Sequence, residues 1–240
     1  MIRTLRFKLI ILFLFIGLVP LGLTSAILYS ISSQALIEEG EKGLEEISIS
    51  TGDAIEQWFE KRVGEVGLAA RTDNMKSLDE KQQLSLVKMV KEQSNSYETV
   101  VFTGTDGVVR AHTTEENIGT LNLADRDYFQ KGMSGESFIS DVLTSRATGN
   151  RIVVVAAPVQ GDNGDILGVM SASVNFEQLV SEFINGNHSQ DLIPVLLDNQ
   201  NVIQAHPVSE WVGLELSESG LSPEVKALME GGRSDGAFFI

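Results

Sequence analysis

The segment LADRDYF, residues 123–129, holds the side chains best suited to binding chemistry. Arg126 carries a planar guanidinium, which can hold a carboxylate through two parallel hydrogen bonds. Tyr128 and Phe129 follow it, and at least one of their rings is expected to point into the protein. Two alternatives stay open, because Arg126 could pair with a neighbouring aspartate at the surface and both rings could serve only the core.

Three other polar residues are candidates for the same site. Ser171 and Ser173 alternate along a predicted strand, so their side chains share a face and would line the space in front of Arg126. Their small size suits a cavity wall, although small residues also suit sheet packing. Asp141 follows a predicted strand, where its carboxylate could contact a ligand or only accept a hydrogen bond at the strand end.

The sequence offers no motif for catalysis, metal binding or nucleic-acid binding. It has no cysteine and no Gly-x-Ser-x-Gly, His-Glu-x-x-His or phosphate-loop motif. His112 and His206 occupy equivalent positions of an internal repeat, and such positions in two modules lie too far apart to share a metal. The excess of 33 acidic over 18 basic residues opposes binding to phosphate backbones. We therefore predict no enzyme activity, no metal, no cofactor and no nucleic-acid partner.

An apolar run over residues 9–31 contains no charged side chain and is long enough to span a bilayer. Three basic residues precede it, and the first acidic residue after it is Glu38. Because basic residues stay on the cytoplasmic side, residues 1–8 are predicted inside the cell and the remainder outside the cytoplasmic membrane. A cleaved signal peptide is the alternative, since the small residues around Ala26 resemble a cleavage site.

A long stalk helix is predicted directly after the span, over residues 33–71. Its apolar positions recur at spacings of three and four residues and are Leu44, Ile47, Thr51, Ala54 and Trp58. This stripe could pack on the chain's own domain or form the seam of a parallel homodimer, and both interpretations stay open.

From residue 97 onward the pattern changes to short strands separated by glycine-containing turns. YETVVF and GVVRAHT flank the turn GTDG and predict a hairpin, and the further predicted strands are ESFISDVL, NRIVVVAAPV and DILGVMSASVNF. A short helix is expected over residues 125–132. Residues 77–175, which begin with another helix, would thus form an antiparallel sheet with a helix and loops across one face.

An ungapped internal repeat indicates a second module of the same kind. GVVRAHTTEENIGTLNL and NVIQAHPVSEWVGLELS lie 94 residues apart and share five of seventeen residues. This period is too long for a solenoid and indicates tandem domains. Residues 176–187 would form a connecting helix and residues 190–240 the second module. Because residues 235–240 resemble the third strand of the first module, we expect the second module to be incomplete and the sequence to be a fragment.

The motifs LADRDYF, FISD, VVVAAPV and GDILGVMSASV, with the repeated hairpin, resemble the double Cache sensor regions of bacterial chemoreceptors, sensor kinases and diguanylate cyclases. The resemblance covers nearly the whole chain. It implies an α+β fold with a transmembrane helix, a long stalk helix and two tandem PAS-like antiparallel-sheet modules, the second incomplete. It also implies a single-pass protein of the bacterial inner membrane, with the first module distal to the membrane and the second proximal.

The resemblance also assigns ligand-binding residues. In family members that bind amino acids, an arginine and two aromatic residues act with tyrosine and carboxylate side chains that hold the ligand's ammonium group. Arg126, Tyr128 and Phe129 match the first three, whereas the other positions hold Leu121, Leu143, Ser145 and Ser173. The predicted site is therefore Arg126, Tyr128, Phe129, Asp141, Ser145, Ser171 and Ser173. Without the ammonium anchors, it is expected to disfavour α-amino acids and to favour an organic acid.

The function that the resemblance implies is ligand sensing by a transmembrane receptor, with a methyl-accepting chemotaxis protein as the leading interpretation. Its partners would be a small carboxylate-bearing molecule, the membrane and a second copy of the chain. Two alternatives stay open: the sensor of a histidine kinase or diguanylate cyclase, and an exported module that binds another protein and has no small ligand.

Overall fold

A computed structural model of the chain describes residues 5–77, 79–185, 195–198, 200–221, 223 and 226. The chain divides into two compact units, Met1–Ser50 and Thr51–Ile240. One helix, α1, covers Leu5–Ala70 and contains the residues predicted as membrane span and stalk. The first half of the predicted cytoplasmic N-terminus lies outside the described residues.

The first unit contains the apolar part of α1. Its large side chains are exposed, with Phe13 and Tyr29 at 84% and 78%. Within the described ranges, α1 is the one helix whose length and composition would allow it to cross a membrane. Pro20 lies inside α1 without ending it. The predicted apolar helix near the N-terminus is therefore confirmed as a helix.

The second unit begins with the last turns of α1, and their buried face differs from the predicted stripe. The buried positions recur every three or four residues and are Ile55, Phe59, Arg62 and Val66. Ala54, which the prediction placed on the stripe, is exposed. The sequence pattern concealed the true face because Arg62 places a charge within it. The Arg62 guanidinium lies 4.4 Å from the ring centroid of Trp58 and donates to the Glu65 carboxylate at 3.3 Å, so its charge is compensated inside the protein.

Two helices, α2 (Asp73–Lys76) and α3 (Glu80–Gln93), connect α1 to the sheet. Asp79 caps α3, because its Oδ1 accepts the N–H groups of Lys81 and Gln82 at 2.9 and 3.0 Å. The inward positions of α3, at helical spacing, are Gln83, Leu86, Val87 and Val90. α3 thus covers one face of the sheet and leaves the other face to different elements.

Six strands form one antiparallel sheet, with the bounds Tyr97–Gly104 (β1), Val109–His112 (β2), Phe138–Ile139 (β3), Leu143–Thr144 (β4), Arg151–Gln160 (β5) and Ile166–Asn175 (β6). Their order is β2-β1-β6-β5-β3, and β4 also pairs with β5. The predicted strands are confirmed, except that ESFISDVL forms two short strands. They are separate because the Ser140 hydroxyl, at 2.9 Å, accepts the Val154 N–H.

The two faces of the sheet have different partners. On one face, alternate strand residues such as Val100, Val155 and Ala172 pack with α1 and α3 in the main core. On the other face, Ile152 and Val154 pack with the helix α4, Asp127–Met133. Gly132 allows α4 to approach β6 closely, because a Cβ there would lie 2.7 Å from methyl carbons of Val169. The predicted site residues lie around this second face.

A second hairpin repeats the first one. Its strands are β7, Leu196–Leu197, and β8, Ile203–Ala205, which pair antiparallel. Asn201 adopts φ 64°, as Gly107 at the equivalent turn position adopts φ 79°. In each hairpin the histidine Nδ1, of His112 or of His206, accepts the backbone N–H two residues later, at 2.7 and 2.9 Å. The internal repeat inferred from the sequence is therefore present in the fold.

The segment between the two hairpins begins as a helix, α5, over Phe176–Leu179, and continues as a wider π-helical turn over Val180–Asn185. The last two residues of the predicted connecting helix, 186 and 187, lie outside the described residues. The same holds for residues 235–240, in which a third strand of the second module was predicted. The expected α+β fold with an apolar N-terminal helix and antiparallel PAS-like sheet is confirmed.

Candidate ligand-binding cleft

A narrow cleft, with about 40 Å³ of internal space, lies on the second face of the sheet. Strands β1, β5 and β6 form its floor, and the segments before α4 and after β4 form its walls. Its apolar lining is Val101, Leu121, Leu123, Leu143, Ala147, Ile152 and Val154. A mainly apolar concave surface with a few placed polar groups is typical of small-molecule sites.

Hydroxyl groups line the floor of the cleft. Ser171 and Ser173 both face it, because alternate residues of β6 point to the same side. The Ser173 hydroxyl lies 2.7 Å from the Thr99 hydroxyl on β1 and accepts the Thr99 N–H at 3.1 Å. Ser171 lies opposite Val101 in the β1–β6 register and adds a second polar group. The floor can therefore both donate and accept hydrogen bonds.

Arg126 precedes the first residue of α4 and lines the wall of the cleft. Its Nη2 donates to the Thr144 carbonyl oxygen at 3.0 Å. Its Nε is buried and has no hydrogen-bond partner among the described residues. A buried N–H without a partner costs roughly 1–3 kcal/mol, which a ligand oxygen placed against it would recover. Arg126 makes no ion pair with Asp125 or Asp127 among the salt bridges of the described residues.

A second arginine, Arg146, lines the same cleft but is already paired. Its Nη1 and Nη2 donate to the two carboxylate oxygens of Asp125 at 2.7 and 2.5 Å, and Nη1 also donates to the Asn122 carbonyl at 2.7 Å. The hydrogen bonds from Arg146 lower the pKa of Asp125 to about 2 and raise the pKa of Arg146. This bidentate ion pair joins the loop before α4 to the loop after β4.

His112 ends β2 and lines the cleft while being only 1% exposed. Its Nδ1 accepts the Thr114 N–H, so the neutral ring carries its proton on Nε2. Burial lowers the pKa of His112 below its usual value, so the ring is neutral at pH 7. A neutral imidazole adds polarity to the cleft without adding charge.

Tyr128 and Phe129 are both buried in the cluster between α4 and the sheet, at 6% and 5% exposure. Tyr128 lines the cleft, and burial raises the pKa of its hydroxyl to about 12. Phe129 does not line the cleft. Consecutive residues of a helix point about 100° apart, so α4 cannot direct both rings to the same spot.

The loop after β4 is held by polar contacts at both ends. The Ser145 hydroxyl lines the cleft and accepts the N–H groups of Ala147 and Thr148 at 3.3 and 3.2 Å. The Glu98 carboxylate accepts from the Thr148 hydroxyl and from the Asn150 amide, the latter at 3.0 Å. It also accepts from the Asn175 amide at 2.9 Å, which fixes the loop to the sheet.

Among the residues that the structure describes, no group of three or more His, Cys, Asp and Glu side chains could hold a metal ion. The cleft lining also contains no carboxylate. What the arrangement offers is one cation with an unpartnered buried N–H, several hydroxyls, a neutral imidazole and apolar walls. Chemically, this set suits binding of a small molecule that carries a negative group and an apolar part.

The sequence matches the family model of the Cache domain over residues 32–238. The chain belongs to the Cache domain family. No curated protein matches it in sequence.

Solved structures share the fold of this Cache domain at low sequence identity. The ligand-binding domain of the Pseudomonas fluorescens chemoreceptor CtaA with L-serine is 18% identical at a TM-score of 0.62, covering 75% of this chain and 78% of that one. The ligand-binding domain of the Pseudomonas aeruginosa amino acid chemoreceptor PctB with L-Arg is 18% identical at 0.64, covering 75% and 76%. The sensor domain of the V. cholerae histidine kinase DctB is 18% identical at 0.63, covering 87% and 79%.

The expectation that α-amino acids are disfavoured is wrong, because structures similar to this Cache domain contain L-serine and L-Arg. The expected preference for an organic acid over an amino acid is wrong for the same reason. The expectation rested on missing tyrosine and carboxylate side chains and did not consider the polar groups of Thr99 and His112. Hydroxyl oxygens of Thr99, Ser171 and Ser173 are also hydrogen-bond acceptors that an ammonium group can use.

Of the seven predicted site residues, the Cache cleft brings five together, and these are Arg126, Tyr128, Ser145, Ser171 and Ser173. Phe129 packs in the core instead, and the exposed Asp141 lies between β3 and β4, away from the cleft lining. Beside it, the Ser140 hydroxyl donates to the Asp141 carbonyl oxygen at 2.8 Å.

Sequence reasoning missed three polar residues of the cleft, Thr99, His112 and Arg146. Thr99 could have been found, because it lies on the same strand face as Val101 in YETVVF. His112 was considered only as a metal ligand. Arg146 lies in a loop, where no periodicity reports which way a side chain points.

Proposed function

We propose that this Cache domain is the extracytoplasmic sensing region of a bacterial chemoreceptor and that its first module binds a small carboxylate-bearing molecule. The observation that carries the proposal is the buried, unpartnered Nε of Arg126 at the wall of a cleft. A ligand carboxylate would accept from Nε and Nη of Arg126, which is the geometry that guanidinium and carboxylate groups favour.

Amino acids are the ligand class to test first. The structural relatives with bound L-serine, L-Arg and GABA show that this fold accommodates such molecules. In the present cleft, the hydroxyls of Thr99, Ser171 and Ser173 would accept from the ammonium group. The apolar walls, Leu121 and Ile152 among them, would cover the side chain of the ligand. Because no carboxylate lines the cleft, the ammonium group would be held by neutral acceptors only.

The proposal includes a topology. Residues 9–31 would span the membrane, with residues 1–8 in the cytoplasm and residues 33–71 forming the stalk. Residues 77–175 would be the membrane-distal module, followed by the connecting segment 176–187 and the membrane-proximal module 190–240. The basic residues before the apolar run support this orientation.

A histidine kinase sensor is the second candidate for the output. The V. cholerae histidine kinase sensor domain covers 87% of this chain, more than the chemoreceptor domains described above. Both candidates assign the same role to the residues described here, namely binding without a catalytic step. An exported module with no small ligand is less well supported, because the first module has an open, partly polar cleft.

The test is a thermal-shift screen of the chain in detergent with amino acids and other small carboxylates, followed by calorimetry on each hit. Arg126→Ala should abolish binding. Arg110→Ala is the matched control, because Arg110 is exposed and paired with Asp106 in the β1–β2 hairpin. Hits that bind Arg126→Ala as tightly as the unaltered chain would refute the assignment of Arg126.

A further inference from the structure

The two arginines that line the cleft differ in how their charge is compensated. Arg126 contacts a backbone carbonyl and has no carboxylate partner among the described residues. Arg146 donates to both oxygens of Asp125, a geometry that neutralises it as fully as one carboxylate can. The cleft therefore contains two arginines, of which only Arg126 lacks a direct carboxylate contact among the described residues.

Asp125 itself is placed to control this balance. It lies next to Arg126 in sequence, yet its carboxylate accepts hydrogen bonds from Arg146 in the loop after β4. The low pKa of Asp125 keeps it charged at every physiological pH. His112, which also lines the cleft, is neutral at pH 7, so it does not change the net charge of the cleft lining.

We propose that Asp125 sets the charge selectivity of the cleft. By holding Arg146, it leaves Arg126 as the single cation available to a ligand and so selects molecules with one carboxylate over dicarboxylates. A second ligand carboxylate near the mouth would have to displace Asp125 from Arg146, or would lie unpaired beside it. The inference rests on the proposed function, since it assumes that a ligand carboxylate binds Arg126.

The proposal defines Asp125 as a specificity-determining residue that acts through Arg146. Asp125→Asn keeps the size of the side chain and removes its charge, which frees Arg146 for a second carboxylate. Because the Asp125–Arg146 pair is partly exposed, the gain for a dicarboxylate is expected to be about fivefold, the upper range for such pairs. A purely structural role of Asp125 would weaken all ligands alike and leave their ratio unchanged.

The experiment measures, by calorimetry on the chain in detergent, the affinity ratio within two matched probe pairs, propionate with succinate and L-alanine with L-aspartate. Asp125→Asn should raise the ratio in favour of the dicarboxylate about fivefold. The double variant Asp125→Asn/Arg146→Gln should lose that gain. Asp127→Asn is the control, because it removes the same charge two residues away and Asp127, unlike Asp125, forms no salt bridge with Arg146 among the described residues.

An unchanged ratio in Asp125→Asn, or a gain that persists in the double variant, overturns the proposal. Should Asp125→Asn fail to fold, Arg146→Gln decides, because the freed Asp125 carboxylate should then lower the dicarboxylate ratio below that of the unaltered chain. If none of the four probes binds the unaltered chain, the inference fails, whereas the proposed function is decided by the wider thermal-shift screen. If Arg126→Ala abolishes binding but no variant moves the ratio, the inference alone fails.

Discussion

The two faces of the sheet use the same strands for opposite purposes. Val155 and Ala172 point to the core and pack against α1 and α3 together with other apolar strand residues. Their neighbours Val154, Ser171 and Ser173 point to the cleft, where hydroxyls remain beside apolar side chains. Because strand residues alternate, a change of one position moves a side chain from the closed face to the open one.

This difference between the two faces indicates which residues stabilise the fold and which residues bind ligand. Side chains on the closed face are packed between the sheet and the helices α1 and α3, so removing atoms there leaves a cavity. The open face already borders empty space, so removing atoms there enlarges the cleft at lower cost. Neighbouring residues of one strand should thus separate the free energy of unfolding from the affinity for ligand.

The largest effect is expected from Val155→Ala compared with Val154→Ala, two identical changes on adjacent residues of β5. Both residues are buried, at 0% and 3% exposure. Val155→Ala should lower the free energy of unfolding by about 2.5 kcal/mol and leave ligand affinity unchanged. Val154→Ala should cost about half as much and change affinity. Equal losses of stability, measured by denaturant unfolding, would contradict the division between the two faces.

The next effect concerns the helix that covers the open face. In Gly132→Ala, the new Cβ would meet the methyl groups of Val169 at 2.7 Å, so α4 must lift from β6 and carry Tyr128 with it. We expect a loss of about 1.5 kcal/mol in stability and weaker ligand binding. Gly64→Ala is the control, because the space around that helical glycine is open and the change should stabilise the chain by about 0.5 kcal/mol. A stabilised Gly132→Ala would show that α4 does not need this close contact.

A smaller effect is expected at Glu98, which holds the loop that carries Ser145 and Arg146. In Glu98→Gln, one acceptor oxygen becomes an amide donor, which faces either the Thr148 hydroxyl or the amides of Asn150 and Asn175. The loop should loosen and ligand affinity should fall about fivefold, with a small change in Tm. Glu116→Gln, on the exposed segment after β2, is the control. Unchanged ligand affinity in Glu98→Gln would show that binding does not depend on the contacts between Glu98 and the loop.

The smallest effect is a pH dependence. The pKa of Asp125 is lowered to about 2 in the folded chain by Arg146, from the ordinary value near 3.8. A lowered pKa means that the pair stabilises the folded state above about pH 4 and that this contribution is lost as the pH falls toward 2. The difference in Tm between the chain and Asp125→Asn should therefore shrink over this interval. A difference that stays constant down to pH 2 would contradict the pairing.

The sequence predicts the regular parts of this architecture well and the loops poorly. Alternation along β6 was enough to place Ser171 and Ser173 on one face, and the LADRDYF motif was enough to select Arg126. Arg146 and Glu98 were missed because their roles depend on how loops return to the sheet, which no local pattern encodes. The buried face of α1 was misplaced because Arg62, a charged residue, is buried within it.

The repeated hairpin shows which structural features can be recognised from the sequence alone. Gly107 and Asn201 differ in residue type but share a left-handed backbone, because both types tolerate positive φ. His112 and His206 accept the same backbone N–H in each copy. The repeat could be recognised from sequence at five identities, which include the two histidines and the positive-φ glycines Gly119 and Gly213.

The central claim is that a ligand carboxylate binds the unpartnered Nε–H of Arg126. The direct measurement is the NMR signal of that group, followed in a chain labelled with ¹⁵Nε-arginine during titration with a ligand from the thermal-shift screen, and assigned by its loss in Arg126→Lys. We predict that the Arg126 Nε–H signal shifts downfield and becomes protected from exchange with water, while the signal of Arg110 stays in place. Saturating ligand that leaves the Arg126 signal unmoved would contradict the account.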